Sequence, residues 1–205
     1  MKIFKYTLCS TALLCLVFSG CTQNTSKEKA PDTRVDINPA KPDSTGKASS
    51  KPDTIKGSIP AEASGKIGPA TIKVLYSSPA VRGRVIWGKL VPYDKIWVTG
   101  AHNATSLETD KDLEIGGRKI PAGKYAFFTI PGEDEWTVII NKRWMQHQAD
   151  KYSAKEDLVR LKVKPQSAQN NQERLKYEVK SDGGNTGQLV MSWEKIRLSV
   201  PVKGM

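Results

Sequence analysis

The strongest constraint on this chain is a period of two in its second part. Ile72, Val74 and Tyr76 alternate with Thr71, Lys73 and Leu75. Val159, Leu161 and Val163 alternate with Arg160, Lys162 and Lys164, and Leu175, Tyr177 and Val179 with Lys176, Glu178 and Lys180. Successive side chains leave a strand on opposite faces, so runs of this kind bury one face of a sheet and wet the other. Near the end, Leu189, Met191 and Trp193 share one phase, and Ile196, Leu198 and Val200 resume one position out of it. The slip at Glu194-Lys195 predicts a β-bulge or a tight turn, because otherwise every later side chain would change face. Turn residues separate the runs. Gly116-Gly117 between "LEI" and "RKI" is a two-residue hairpin signal. Pro121-Ala122-Gly123, Pro131-Gly132 with Glu133-Asp134, and Asp182-Gly183-Gly184-Asn185 break the other pairs. "KYAFFTI" and "WTVIIN" are apolar on both faces and suit central strands, and "KIWVTG" reads as a strand-like run ending at Thr99-Gly100. Residues 141–158 lack alternation. Ser153 with Glu156 resembles a capping box, so a short helix or a loop excursion is expected there. Together these patterns predict an all-β fold, a single β-sandwich or barrel-like domain of mainly antiparallel strands with at most one short helix.

The first part of the chain reads differently. Lys2 and Lys5 precede a mostly apolar run of thirteen residues, Tyr6 to Phe18. The run falls short of the ~20 residues that span a bilayer but fits the apolar region of a secretory signal. Phe18-Ser19-Gly20-Cys21 resembles the lipobox of bacterial lipoprotein signals, which implies cleavage before Cys21 and acylation of that residue. Each buried acyl CH2 contributes ~0.8 kcal/mol, so the implied partner is the lipid bilayer and the implied address the cell envelope. By the same resemblance, the absence of Asp at Thr22 favours the outer membrane. Cys9 and Cys15 lie in the signal, so the chain beyond Cys21 carries no thiol. A cysteine nucleophile, a cysteine zinc site and a disulfide are thereby excluded from the domain. Thr22 to Lys66 contains no aromatic residue and five prolines among Ser, Thr, Lys and Asp. Such composition cannot bury enough apolar surface to offset chain entropy, and a disordered tether is expected. As a flexible coil its 45 residues would span roughly 35–40 Å. Asp43-Ser44-Thr45 and Asp53-Thr54-Ile55 resemble bacterial O-glycosylation acceptors. The expected organisation is a signal peptide over 1–20, a lipidated tether over 21–66 and an all-β domain over 67–205.

Residues 67–205 hold 22 Lys and Arg against 15 Asp and Glu, a formal charge of +7 by difference. The excess is spread out, and its densest run, Arg160, Lys162 and Lys164, is one face of one strand. A basic balance favours contact with anionic lipid heads or polysaccharide, whereas nucleic acid would want a dense basic stripe or a recognisable module. Nucleic acid is therefore not an expected partner. No P-loop, nucleophile elbow or dinucleotide fingerprint is present, and no cofactor is expected. His102, one of only two histidines, stands beside Asn103 and ahead of Glu108 and Asp110. A histidine near carboxylates serves as a base or a metal ligand. The spacing supplies no third ligand, so no metal site is nominated. Glu133, Asp134 and Glu135 are adjacent in one turn, whereas glycoside hydrolysis needs two carboxylates facing across a cleft. Trp87, Tyr93 and Trp97, flanked by Arg82 and Arg84, form either a platform for a sugar or peptide or a part of the core.

Several motifs together resemble domain of unknown function family 2911, a group of secreted bacterial proteins. They are Tyr76-Ser77-Ser78-Pro79, Gly83-Arg84-Val85-Ile86-Trp87-Gly88, Leu90-Val91-Pro92-Tyr93, Trp97-Val98-Thr99-Gly100-Ala101, Pro121-Ala122-Gly123-Lys124-Tyr125, Thr129-Ile130-Pro131-Gly132, Glu135-Trp136-Thr137 and Trp193-Glu194. The resemblance runs from about Tyr76 to Val202. It implies a compact secreted β domain and no particular reaction. The family's usual arginine near Ser78 is missing, and His102-Asn103 stands where the family has an Asn-Glu pair.

The expected function is that of a cell-envelope lipoprotein whose non-catalytic β domain binds a glycan or protein partner. The candidate binding residues are Arg82, Arg84, Trp87, Tyr93, Trp97, His102 and Asn103, with Cys21 as the lipidated residue. No catalytic residue is assigned in that reading. The alternative is a hydrolase acting on carbohydrate or ester with His102 as base.

Overall fold

Ten strands form within residues 53–205, the part of the chain that the computed structural model describes. They are β1 (Ile59–Ile67), β2 (Ala70–Ser78), β3 (Ser106–Thr109), β4 (Leu113–Ile115), β5 (Arg118–Ile120), β6 (Gly123–Ile130), β7 (Trp136–Asn141), β8 (Asp157–Val163), β9 (Gln166–Gly183) and β10 (Thr186–Gly204). The larger sheet has the order β1-β2-β3-β6-β7-β8 and the smaller the order β5-β4-β10-β9, with every ladder antiparallel. The fold is an all-β sandwich. Its only helical element among the described residues is one 3-10 turn, Ala154–Glu156.

Alternation builds the core. Ile72 and Val74 from β2, Phe127 from β6, Val138 and Ile140 from β7, and Leu175 and Tyr177 from β9 meet between the sheets with Met191, Trp193, Leu198 and Val200 from β10. Each such side chain stabilises the fold by about 1.5–3 kcal/mol on burial. The phase slip in β10 is a bulge. Register shifts flank Glu194, whose φ is +53°, so Trp193 before it and Leu198 after it both reach the core. The Gly116-Gly117 turn joins β4 to β5 with both residues at positive φ, +59° and +73°, the geometry a two-residue hairpin requires.

Strands β6 and β7 lie inside the larger sheet, and their outer face is covered as well. Ala126, Phe128 and Ile139 form a second buried cluster there with Val98 and Ala104, and half-buried Trp144 and Tyr152 pack on it. The cover comes from residues 142–156, a loop excursion with a single turn of 3-10 helix. The capping box expected at Ser153 does not form. Ser153 makes no side-chain cap, and Glu156 bonds to its backbone oxygen instead, at 3.0 Å.

Two further expectations are corrected. The folded domain begins before Ile67, because β1 occupies Ile59–Ile67 and pairs along its whole length with β2. Its alternation is muted because the half-buried positions are Ala61, Ala63 and Gly65. Small residues are needed where β9 crosses, since a Cβ on Gly65 would lie 2.9 Å from Cβ of Val179. Residues 53–57 are clasped too. The Arg174 guanidinium donates to Asp53 Oδ1 at 3.0 Å, Ile55 O at 2.8 Å and Ser78 O at 2.9 Å. This arginine holds the Asp53 carboxyl below its ordinary value of 3.8. "KIWVTG" is not a strand. Only Trp97 bridges to Thr129, and Thr99 turns out of extended geometry at φ +52°. The signal peptide, Cys21, the tether up to residue 52 and Asp43-Ser44-Thr45 lie outside the described residues.

Candidate functional site

The chain between β2 and β3, residues 79–105, carries all of the candidate binding residues. It first runs beside β9. Val81 N donates to Glu173 O and Arg82 N to Glu173 Oε1, both at 2.8 Å. The two arginines bind backbone, not one another. Arg82 donates to the Ile55 carbonyl, and Arg84 to those of Ala80 and Val81. Trp87 and Trp97 then enter the core. The Trp87 ring stands 4.9 Å from that of Trp136 and 5.8 Å from that of Trp193, edge to face. Trp97 stacks on Trp193 at 5.7 Å and donates its indole N–H to Gly100 O at 3.1 Å. These tryptophans fill one end of the sandwich. The Trp87 and Trp193 indole N–H groups have no acceptor among the described residues. Tyr93 is half-buried, and its ring edge lies 3.0 Å from where a Cβ on Gly88 would stand. Glycine fits there doubly, since its φ is +74°.

His102 and Asn103 follow a buried anchor. The Thr99 carbonyl accepts from Tyr177 Oη at 2.8 Å and from Thr105 Oγ1 at 3.0 Å. Burial, with no compensating charge, drives the Tyr177 phenol well above its ordinary value of 10.0. His102 is exposed at φ +62°, and its carbonyl accepts from Gln148 N at 2.6 Å. Asn103 bridges to His147. The pair therefore meets the 142–156 excursion and not Glu108, which lies on β3 with Lys124 Nζ at 3.7 Å.

Where the excursion stops short of β1 and β2, a groove of about 620 Å³ remains on the outer face of the larger sheet. Leu75, Ser106 and Lys124 contribute to it from β2, β3 and β6, and Trp144, Met145 and His147 from the excursion. Lys151 and Asn103 also line it; His102 is not among its lining residues. Lys124 Nζ stands 4.3 Å from the centre of the Trp144 ring, an attraction between a cation and the negative ring face. Met145 is 75% exposed, so the groove presents apolar as well as cationic surface.

Polar contacts hold the excursion in place. Buried Asn141 donates to Ser153 O at 3.0 Å and Asp157 Oδ1 at 2.7 Å, while its own oxygen accepts from Arg143 N at 2.8 Å. Tyr152 Oη donates to Asp157 Oδ2 at 2.7 Å. Burial first, and then the Asp157 carboxylate, push its phenol up to about 12. Ala104 N donates to Gln146 O at 3.0 Å, which ties the excursion to the segment carrying Asn103. No signal in the sequence joined Lys124 to Trp144 and Lys151. The nearest hint was the unusual text of 141–158, where alternation fails although aromatics persist. Among the described residues, no group of three His, Cys, Asp or Glu is placed to hold a metal ion.

Fold and site define an antiparallel β-sandwich with a cationic and apolar groove on the outer face of one sheet. The chain belongs to the family described as "Protein of unknown function (DUF2911)", whose model matches residues 58–202. That match starts just ahead of β1. No curated protein and no solved structure matches the chain.

Proposed function

We propose that this protein is a cell-envelope lipoprotein, held at the outer membrane by acylated Cys21, whose β domain binds an envelope ligand in the groove without transforming it. The observation that carries the binding reading is the meeting of Lys124, Lys151 and His147 with Trp144, Met145 and Leu75 in one concave site. Two lysines beside an aromatic and two aliphatic side chains suit a ligand with an anionic group and a less polar face. An acidic glycan of the envelope has that chemistry. Of the residues nominated from sequence, Asn103 takes part directly; Arg82, Arg84, Trp87, Tyr93 and Trp97 shape and fill the end of the sandwich beside it. The anchor reading rests on the Phe18-Ser19-Gly20-Cys21 sequence.

Titration of the protein with acidic and neutral oligosaccharides, read by calorimetry, tests the binding. The acidic ligands should bind in preference. Changing Lys124 and Lys151 together to Ala should weaken them about tenfold or more, since hydrogen bonds to charged groups contribute ~1.5–3 kcal/mol each. Unaltered affinity in that variant, or release of cleaved sugar during titration, would sink the reading. For the anchor, Cys21→Ser should move the protein from the membrane to the soluble fraction; retention in the membrane would refute acylation.

A further inference from the structure

Five large apolar side chains stand exposed among the described residues, and three of them gather where the chain enters the domain. Ile55 is 54% exposed, Val85 66% and Leu90 45%. Hydrogen bonds link the segments that carry them. Arg82 donates to the Ile55 carbonyl, Arg84 folds back onto Ala80 and Val81, and Leu90 N donates to Val85 O at 3.3 Å. Val85 and Leu90 are thus the tip of a tight loop, closed by Val91 N to Ile86 O at 2.9 Å, whose buried side is Ile86 and the tryptophan cluster. A tip held this firmly does not fold its two apolar side chains inward.

Cations share this part of the chain. Arg82, Arg84 and Lys89 flank the tip in sequence, Lys56 follows Ile55 and Lys95 follows the loop, and all five are exposed. Of the acids at the same end, Glu173 accepts from Arg82 N at 2.8 Å and Asp53 is paired with Arg174, while Asp94, Glu133 and Asp134 lie on the Pro131 side, where Asp94 N bonds to Pro131 O at 2.8 Å. Asp53, the first described residue, is clasped by Arg174 at this end, so whatever precedes it in the chain arrives here. An exposed apolar tip in a loop that carries exposed basic residues, beside the entry of the chain, is the surface that an anionic bilayer accepts: aliphatic side chains enter the interface while lysines and arginines meet the headgroups.

We propose that the Ile55–Val85–Leu90 end of the sandwich docks on a bilayer surface containing anionic lipid. The domain then lies against the membrane and does not swing at the end of its tether. The proposal rests on the anchored reading for its biological setting, but its test is separate. The whole chain, purified from membranes and reconstituted into vesicles of phosphatidylethanolamine and phosphatidylglycerol, is compared by hydrogen exchange with the same chain in phosphatidylcholine vesicles. The amides of residues 83–91 should exchange several-fold more slowly on the anionic vesicles, while those of the Gly183-Gly184 turn stay unchanged. Val85→Glu with Leu90→Glu should remove the difference. Lys89→Gln should weaken vesicle binding about fivefold, the fold-change that corresponds to ~1 kcal/mol for one basic residue near an anionic surface. Equal exchange on both vesicles, or protection that survives the double glutamate variant, overturns docking whatever Cys21 does. Membrane retention of Cys21→Ser overturns the anchor alone and leaves the exchange result to decide docking.

Discussion

The two faces of the larger sheet are built on different terms. Its inner face meets the smaller sheet through aromatics and aliphatics fixed by alternation, with Trp136, Phe127 and Ile140 in the core. Its outer face is covered only over β6 and β7, by an irregular excursion held by hydrogen bonds that Asn141 and Tyr152 donate and one that the Gln146 side chain accepts from Lys151 N. The inner face is closed by shape. The outer one is closed by a few polar contacts and left open over β1 and β2, and that opening is the groove. A sandwich thus acquires a concave site without a gap in its core.

The contrast has measurable consequences. Trp136→Ala should cost about 3–5 kcal/mol, because it removes a large side chain that contacts Trp87 and Trp97 and leaves a cavity. Chemical denaturation would show it as a lower midpoint for the whole domain. Asn141→Ala should cost less, about 1–3 kcal/mol, for the buried partners it leaves unpaired. Its effect should be local, with faster hydrogen exchange in 142–156 and loss of ligand binding in the groove. If Asn141→Ala lowered stability as much as Trp136→Ala, the distinction between the faces would collapse.

The smallest effect concerns the tyrosines, one on each face. Tyr177 lies in the core and Tyr152 in the excursion, packed on the outer cluster, and both phenols are raised. A group whose value is higher folded than unfolded contributes stability fully below the unfolded value, near 10.0, and loses it as pH rises through the folded one. Stability should therefore hold to about pH 10 and decline above it. In an absorbance titration Tyr152 should ionise at about 12, and Tyr177 only as the domain unfolds. Ionisation of every tyrosine near pH 10 in the folded protein would contradict the burial of both.

Much of the architecture was legible because strand alternation is a local property. The Gly116-Gly117 hairpin, the doubly apolar β6 and β7, and the Glu194 bulge each follow from a few consecutive residues. β1 was hidden because its half-buried positions include Ala61, Ala63 and Gly65, small residues that look like tether, the last set by the approach of Val179. "KIWVTG" misled for the opposite reason: its apolar residues serve a turning segment whose carbonyl at Thr99 is bound by Tyr177, a residue far away in sequence. The tryptophans were readable as either platform or core, and only their mutual distances decide for core.

The sequence by itself determined an all-β domain without thiols, its hairpins and its family, since backbone periodicity and turn chemistry act over short stretches. Tertiary structure alone decided where the domain begins, which histidine lines the groove, and that Lys124 meets Trp144. Those outcomes depend on segments distant in the chain coming together across a sheet face, and no local pattern encodes the pairing.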